Sequence, residues 1–137
     1  EVPIGEAVVR KQGTDLTIVA FGRMVHEALD AAEQLKDVGL NVEVIDARSV
    51  QPFDTATVVA SIKKTHRALI VHEAVKFGGI GGEITAQIQE EAFDYLDAPI
   101  MRVAAPFSPV PFSPALEKLY IPNAAGIVAK VKETLEL

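Results

Sequence analysis

Cysteine and tryptophan are both absent from this 137-residue chain. Without a thiol there is no disulfide framework, no cysteine nucleophile and no zinc-finger spacing. Three dispersed histidines, His26, His66 and His72, give a metal centre little to work with, so none is expected. Basic residues are outnumbered: 13 Lys and Arg against 19 Asp and Glu leave a net charge of −6 and a pI near 5.0. Such a balance repels phosphate backbones, and nucleic acid is not an expected partner. No apolar run reaches the roughly 18 to 20 residues of a membrane span, and no charged and apolar leader opens the chain, so a cytoplasmic protein away from membranes is expected. No Gly-x-Ser-x-Gly elbow occurs, which argues against hydrolase chemistry.

What is present is apolar. A hydrophobic content of 49% with mean hydropathy +0.24 suggests that another chain covers part of the surface. The length suits one domain, residues 1–137, with a full core. The chain opens on Glu1, and Val2-Pro3-Ile4-Gly5 reads as a connector into a domain, as expected of the carboxyl-terminal part of a longer polypeptide.

Short β-branched runs alternate with helical periods. Ala7 to Val9, before Arg10-Lys11-Gln12-Gly13, has the form of an edge strand. Leu16 to Phe21, Asn41 to Ile45, Ala68 to Val71 and Ile100 to Ala104 resemble parallel strands covered on both faces. Met24, Val25, Ala28, Leu29, Ala32, Leu35 and Val38 recur at helical spacing before Gly39, a fitting left-handed stop. Asp54 is placed to cap a helix carrying Val58, Val59 and Ile62. Ile84, Ile88, Ala92 and Tyr95 mark a third helical stripe. Asn123 caps a last helix with Ile127, Val128, Val131 and Leu135. Pro106 to Pro114 is the irregular stretch. This alternation predicts an α/β fold, a mostly parallel sheet between helix layers.

The most informative segment is Ala68 to Glu83, where a buried-strand run breaks into His72 and Glu73 and then into glycines opening a helix. Ligands collect at the carboxyl ends of strands in such sheets, and Gly22-Arg23, Asp46-Ala47-Arg48, His72-Glu73 and Ala105-Pro106 are expected on one rim. Arg23, Arg48, His72 and Glu73 then offer either a small anion crevice or ordinary ion pairs, with Arg23 capping its own loop and Arg48 pairing with Glu73 or a neighbouring chain. The ion-pair reading weighs more, because such pairs are commonplace at strand ends. His72 is either a proton shuttle or a histidine bonded to a loop carbonyl. The glycines fit neither nucleotide motif: Gly79-x-Gly81-x-x-Ile84 lacks the third glycine, and no Gly-Lys-Ser/Thr follows. Gly78, Gly79, Gly81 and Gly82 are read as close-packing glycines, especially against another subunit.

Several phrases together carry a family resemblance: Val-His-Glu-Ala (71 to 74), Gly-Gly-Ile-Gly-Gly-Glu-Ile (78 to 84), Gln-Glu-Glu-Ala-Phe-Asp-Tyr-Leu-Asp-Ala-Pro-Ile-Met-Arg-Val (89 to 103), Pro-Val-Pro-Phe (109 to 112) and Tyr-Ile-Pro-Asn (120 to 123). Ile-Gly-Glu-Ala (4 to 7) and Asp-Ala-Arg-Ser-Val-Gln-Pro-Phe-Asp (46 to 54) fit as well. In this order they resemble the carboxyl-terminal domain of the E1 beta subunit of 2-oxoacid dehydrogenase complexes. The resemblance implies a transketolase C-terminal-like fold: a three-layer α/β/α sandwich whose five-stranded sheet has one antiparallel edge strand. It implies membership of an alpha-2 beta-2 enzyme that decarboxylates a 2-oxoacid and reductively acylates the lipoyl group of E2. Thiamine diphosphate and Mg would lie between the E1 alpha subunit and the amino-terminal domain of beta, so this domain alone would bind no cofactor and be catalytically silent.

The implied partners are the E1 alpha subunit, a second E1 beta subunit and the peripheral subunit-binding domain of E2. The family's acidic docking position in Leu-x-Ala-Pro falls on Asp97, and its terminal carboxylate on Leu137. The resemblance implies a cytoplasmic location in a bacterium or archaeon and the mitochondrial matrix in a eukaryote. His72-Glu73-Ala74 is similar to the branched-chain type, although substrate choice among pyruvate, branched-chain oxoacids and acetoin rests with another domain. The alternatives are the matching domain of transketolase or deoxyxylulose phosphate synthase, or a small anion-binding module. A receiver-type module lacks its acidic pair and lysine here, where Gly22-Arg23 and Ala105-Pro106 stand instead.

Overall fold

The computed structural model describes all residues, Glu1–Leu137. Five strands, β1 (Val8–Lys11), β2 (Leu16–Ala20), β3 (Val42–Asp46), β4 (Ala68–Val75) and β5 (Met101–Ala105), form one sheet in the order β1-β3-β2-β4-β5. Only the β1–β3 pair is antiparallel, with an irregular register between Val9 and Lys11. Side chains alternate across a strand, and here both alternating sets are apolar. Leu16, Ile18, Ala20, Val42, Val44, Leu69 and Val71 face one layer, built by α1 (Met24–Lys36) and α5 (Ala124–Thr134). Val19, Ile45, Ala68 and Ile70 face the other, built by α2 (Thr55–Thr65) and α3 (Ile80–Ala92). The three-layer α/β/α sandwich with one antiparallel edge strand is therefore the fold.

Helix ends follow their sequence signals. Gly39 takes φ +83, and the bonds Gly39 N–H to Lys36 O (3.0 Å) and Leu40 N–H to Leu35 O (3.0 Å) close α1 in a Schellman motif. Asp54 accepts from Thr57 N–H at 3.0 Å and from the Thr57 hydroxyl at 2.7 Å. Oδ2, which takes the Thr57 hydroxyl, also accepts from Ala7 N–H at 2.9 Å, tying the chain just before β1 to the start of α2. Asn123 caps α5 by accepting from Gly126 N–H at 2.9 Å.

Three local expectations need correction. β4 runs to Val75 rather than Val71, because its polar second half still pairs with β5 after a register shift (Val75 with Ala105), and Lys76 N–H reaches Ala105 O at 2.9 Å. Tyr95 leaves the α3 stripe, because the chain tightens after Ala92 into a 3₁₀ turn, Phe93–Tyr95. The Tyr95 ring instead lies under Lys63 Nζ, 5.0 Å from its centroid. Finally, the proline-rich stretch ends in a short helix, α4 (Pro114–Tyr120), with Pro114 in its first turn, where a missing N–H costs no helix bond.

Candidate functional site

α1 follows β2 onto one face and α3 follows β4 onto the other, so the loops part between these adjacent strands at the carboxyl end of the sheet. This switch point is where ligand crevices form in open α/β sheets. The predicted rim residues Arg23, Arg48, His72 and Glu73 form no hydrogen bond or ion pair with one another. Arg23 begins α1 and its side chain, 62% exposed, reaches Glu27 at 3.9 Å rather than capping its own loop. Arg48 is exposed at φ +58, and its N–H donates to Asp46 Oδ1 at 3.1 Å. Arg48 makes no ion pair with Glu73; the strand-end carboxylate Asp46 is met by Arg10 at 3.4 Å. Exposed pairs of this kind contribute little.

His72 is withdrawn from the rim. It lies within β4 on the face that α3 covers and is only 3% exposed. Its Nε2 lies 3.2 Å from Gly81 N, a donor in the first turn of α3, so Nε2 must be the acceptor. Nδ1 then carries the proton and donates to Ala74 O at 3.1 Å. Burial pushes the ring below its ordinary pKa of 6.5; the Ala74 carbonyl opposes this and the Arg102 charge adds to it. The neutral ring is thus the cap of α3, whose own N-cap, Gly79, has no side chain to do the work.

This close approach explains two of the four glycines. A Cβ on Gly81 would stand 2.5 Å from His72 Nε2 and 2.9 Å from Cδ2. One on Gly79 would run into the Val75 carbonyl and stand 3.0 Å from His72 Cε1. Gly78 supplies φ +69 for the turn, whereas a Cβ on Gly82 would meet only Arg102 Nη1, at an ordinary 3.5 Å. The packing that Gly79 and Gly81 permit is internal, of helix on strand.

Asp97 and Leu137 lie at the opposite, amino-terminal end of the sheet. Asp97 precedes β5, is exposed, and is fixed by its N–H donating to His66 O at 2.9 Å, one residue past α2. It borders an open cavity of about 410 Å³ lined by Phe93, Leu96, Pro99 and Ile100. α5 starts beside α1, with Ala124 N–H on Glu27 Oε2 at 2.9 Å, and packs along it, which carries Leu137 to that same end. Leu137 is 75% exposed.

One buried group escaped the sequence reading. Glu43, in β3 and 1% exposed, accepts from Ser61 Oγ at 2.5 Å, from Gly13 N–H at 3.1 Å and from Lys64 Nζ. Ser61 is itself 2.6 Å from Thr17 Oγ1, which lies 2.6 Å from Thr65 Oγ1. Burial alone would push the Glu43 carboxyl up. Bonds from Lys64, Ser61 and Gly13 and the Lys64 charge outweigh it and hold the group below its ordinary 4.5. The signal was a glutamate inside Val-Glu-Val-Ile, with a threonine beside it in the register Thr17–Glu43.

Apolar surface concentrates beyond edge strand β5. Phe77 and Phe107 meet edge to face at 5.1 Å while each remains 74% exposed. With Ala104, Pro106, Leu119 and the Arg102 side chain they line an open cavity of about 610 Å³, and Phe112 and Leu116 lie exposed in the chain between Phe107 and Leu119. No helix is long and apolar enough to cross a membrane.

Comparison with known proteins is consistent across sequence and structure. The chain is 47% identical over 98% of its length to the pyruvate dehydrogenase E1 component subunit beta of Staphylococcus aureus strain Mu50, and 46% identical over 99% to that of Staphylococcus epidermidis. It spans 41% of the former relative and 42% of the latter. Among solved structures, a split-gene transketolase described as an inactive beta4 tetramer superimposes with a TM-score of 0.83, at 32% identity, over 97% of this chain and 42% of that one. The family model for the transketolase carboxyl-terminal domain matches residues 5–127, and the chain belongs to that family.

Proposed function

We propose that residues 1–137 are a single domain, the carboxyl-terminal assembly and docking domain of the E1 beta subunit of a 2-oxoacid dehydrogenase. The observation that carries this reading is 47% identity running through 98% of the chain to an E1 beta subunit. The split-gene transketolase, at 32% identity over a similar span, keeps a transketolase-type parent as the second reading. Partners in the first reading are an E1 alpha subunit, a second E1 beta subunit and the peripheral subunit-binding domain of E2. The aromatic surface beyond β5 supports a subunit contact, since apolar area of that kind is usually covered. The whole enzyme would decarboxylate a 2-oxoacid and acylate lipoyl-E2.

Thiamine diphosphate and Mg²⁺ supply the decarboxylation chemistry in such an enzyme, and the glycine turn at the start of α3 does not fit the diphosphate. At the start of α3, Gly81 N–H is taken by His72 and Gly82 N–H by Gly79 O, so those amides are not free to cradle a diphosphate. The cofactor is assigned to other parts of the enzyme.

At the amino-terminal end, Asp97 presents a carboxylate beside an apolar hollow, which suits a basic partner, and the net charge of −6 favours its approach. Titrating an E2 subunit-binding domain into wild type and Asp97→Lys at two salt concentrations tests this. Loss of affinity by at least about tenfold, with a shallower salt dependence, is expected. Unchanged affinity and salt dependence would remove Asp97 from the interface.

A further inference from the structure

We infer that His72 is a proton-operated latch: its neutral ring holds the loop Lys76–Gly82 and the start of α3 against β4, and protonation releases them. The inference stands apart from the docking reading, because it uses only contacts within the chain. Nε2 can accept from Gly81 N–H only through its lone pair, while Nδ1 donates to Ala74 O. An imidazolium is donor at both nitrogens, so protonation sets two N–H groups against each other in a site with almost no access to water. The ring sits tight against the glycine backbone, where a Cβ on Gly81 would stand 2.5 Å from Nε2 and one on Gly79 3.0 Å from Cε1.

The charged surroundings make the ring harder to protonate and leave it without a counter-ion. From β5, Arg102 packs its Cδ near Gly81 and donates through Nη1 to Lys76 O at 3.1 Å. From α3, Glu83 is exposed and bonded to Gln87 at 2.9 Å. On β4 itself Glu73 is exposed, and Lys76 beyond it is exposed as well. A carboxylate does not hold the ring in any of these directions. The other ties of the loop, Lys76 N–H to Ala105 O and Arg102 to Lys76 O, are donated by a backbone amide and a guanidinium, whereas an imidazole is the side chain whose ordinary pKa lies near neutrality. The ring is therefore the one pH-sensitive member of the set. Released with the loop is Phe77, half of the exposed pair with Phe107, so the latch governs how that aromatic surface is presented.

The test is made on the wild-type 137-residue chain. Ring ¹⁵N shifts of His72 are followed by NMR from about pH 7.5 to about pH 5, alongside hydrogen exchange of the Gly81 amide and of the Ile88 amide deep in α3. The latch predicts an Nδ1–H tautomer at the upper pH and a drop in Gly81 protection of at least about tenfold on acidification, with Ile88 protection retained. An Nε2–H tautomer, unchanged Gly81 protection, or equal losses at Gly81 and Ile88 would each overturn it. His72→Gln keeps an acceptor without the titration and should render Gly81 protection independent of pH; a persisting pH dependence in that variant would overturn the assignment to His72. The wild-type measurements decide the matter if the variant does not fold.

Discussion

Replacing Glu43 by glutamine probes the one fully buried carboxylate with nearly no change of shape. Glu43 receives three donors, Gly13 N–H, Ser61 O–H and the Lys64 ammonium. A glutamine offers one oxygen, so its amide nitrogen must face at least one of these donors. Hydrogen bonds to a charged acceptor contribute about 1.5–3 kcal/mol each, and a buried donor left unpaired costs about 1–3 kcal/mol. Relief comes from Lys64, whose side chain is 41% exposed and regains water, and from Ser61, whose hydroxyl rotates. The net expectation is a loss of about 2 kcal/mol at neutral pH, read from the urea midpoint at unchanged slope.

The sign of the pH dependence follows from the lowered carboxyl. Its stabilising contribution is complete above the ordinary value of 4.5 and is lost as pH falls through the lower folded value. Wild type and Glu43→Gln should therefore converge in stability as the solution is acidified below that range. Equal stability at neutral pH, or a gap that stays constant on acidification, would refute the claim that an ionised Glu43 organises this part of the core.

Gly81→Ala should lose about 2 kcal/mol or more in chemical denaturation, because its Cβ would displace the His72 ring and with it the cap of α3. Asp54→Ala should cost about 1–2 kcal/mol through the lost helix cap. Since burial, which raises the Asp54 carboxyl, is outweighed by bonds from Thr57 and Ala7 that hold it below 3.8, that cost should shrink in strong acid, as thermal melts across pH would reveal. Phe112→Ser, at a fully exposed position, should leave folding stability within about 0.5 kcal/mol while, if the proposed subunit contact holds, weakening self-association in sedimentation.

The layers were legible in the sequence wherever one residue type suffices to set the geometry. The continuous runs at Leu16 and Ala68 announced strands buried on both faces, Gly39 announced the left-handed stop, and Asp54 and Asn123 announced caps through their short acceptor side chains. The site was less legible, because burial is decided by neighbours far along the chain. His72 read as a strand-end group, yet pairing with β5 extends β4 past it and α3 folds over its ring. The glycines after it made sense only once the ring was seen to need the space. Glu43 was passed over because its partners, Gly13 before β2 and Ser61 and Lys64 on α2, come from two segments distant from β3 in the chain. Arg23 and Arg48 shared an expected rim, but Arg23 reaches Glu27 and the Arg48 backbone bonds Asp46, so neither bonds the other, His72 or Glu73.

In the proposed function this chain serves recognition while bond-making takes place in other parts of the enzyme. Supplying the 137-residue chain alone with thiamine diphosphate, Mg²⁺ and carboxyl-labelled pyruvate or branched-chain 2-oxoacids, and trapping the released carbon dioxide, tests this most directly. The expected result is label release no faster than in buffer with cofactor; release that grows in proportion to chain concentration would contradict it.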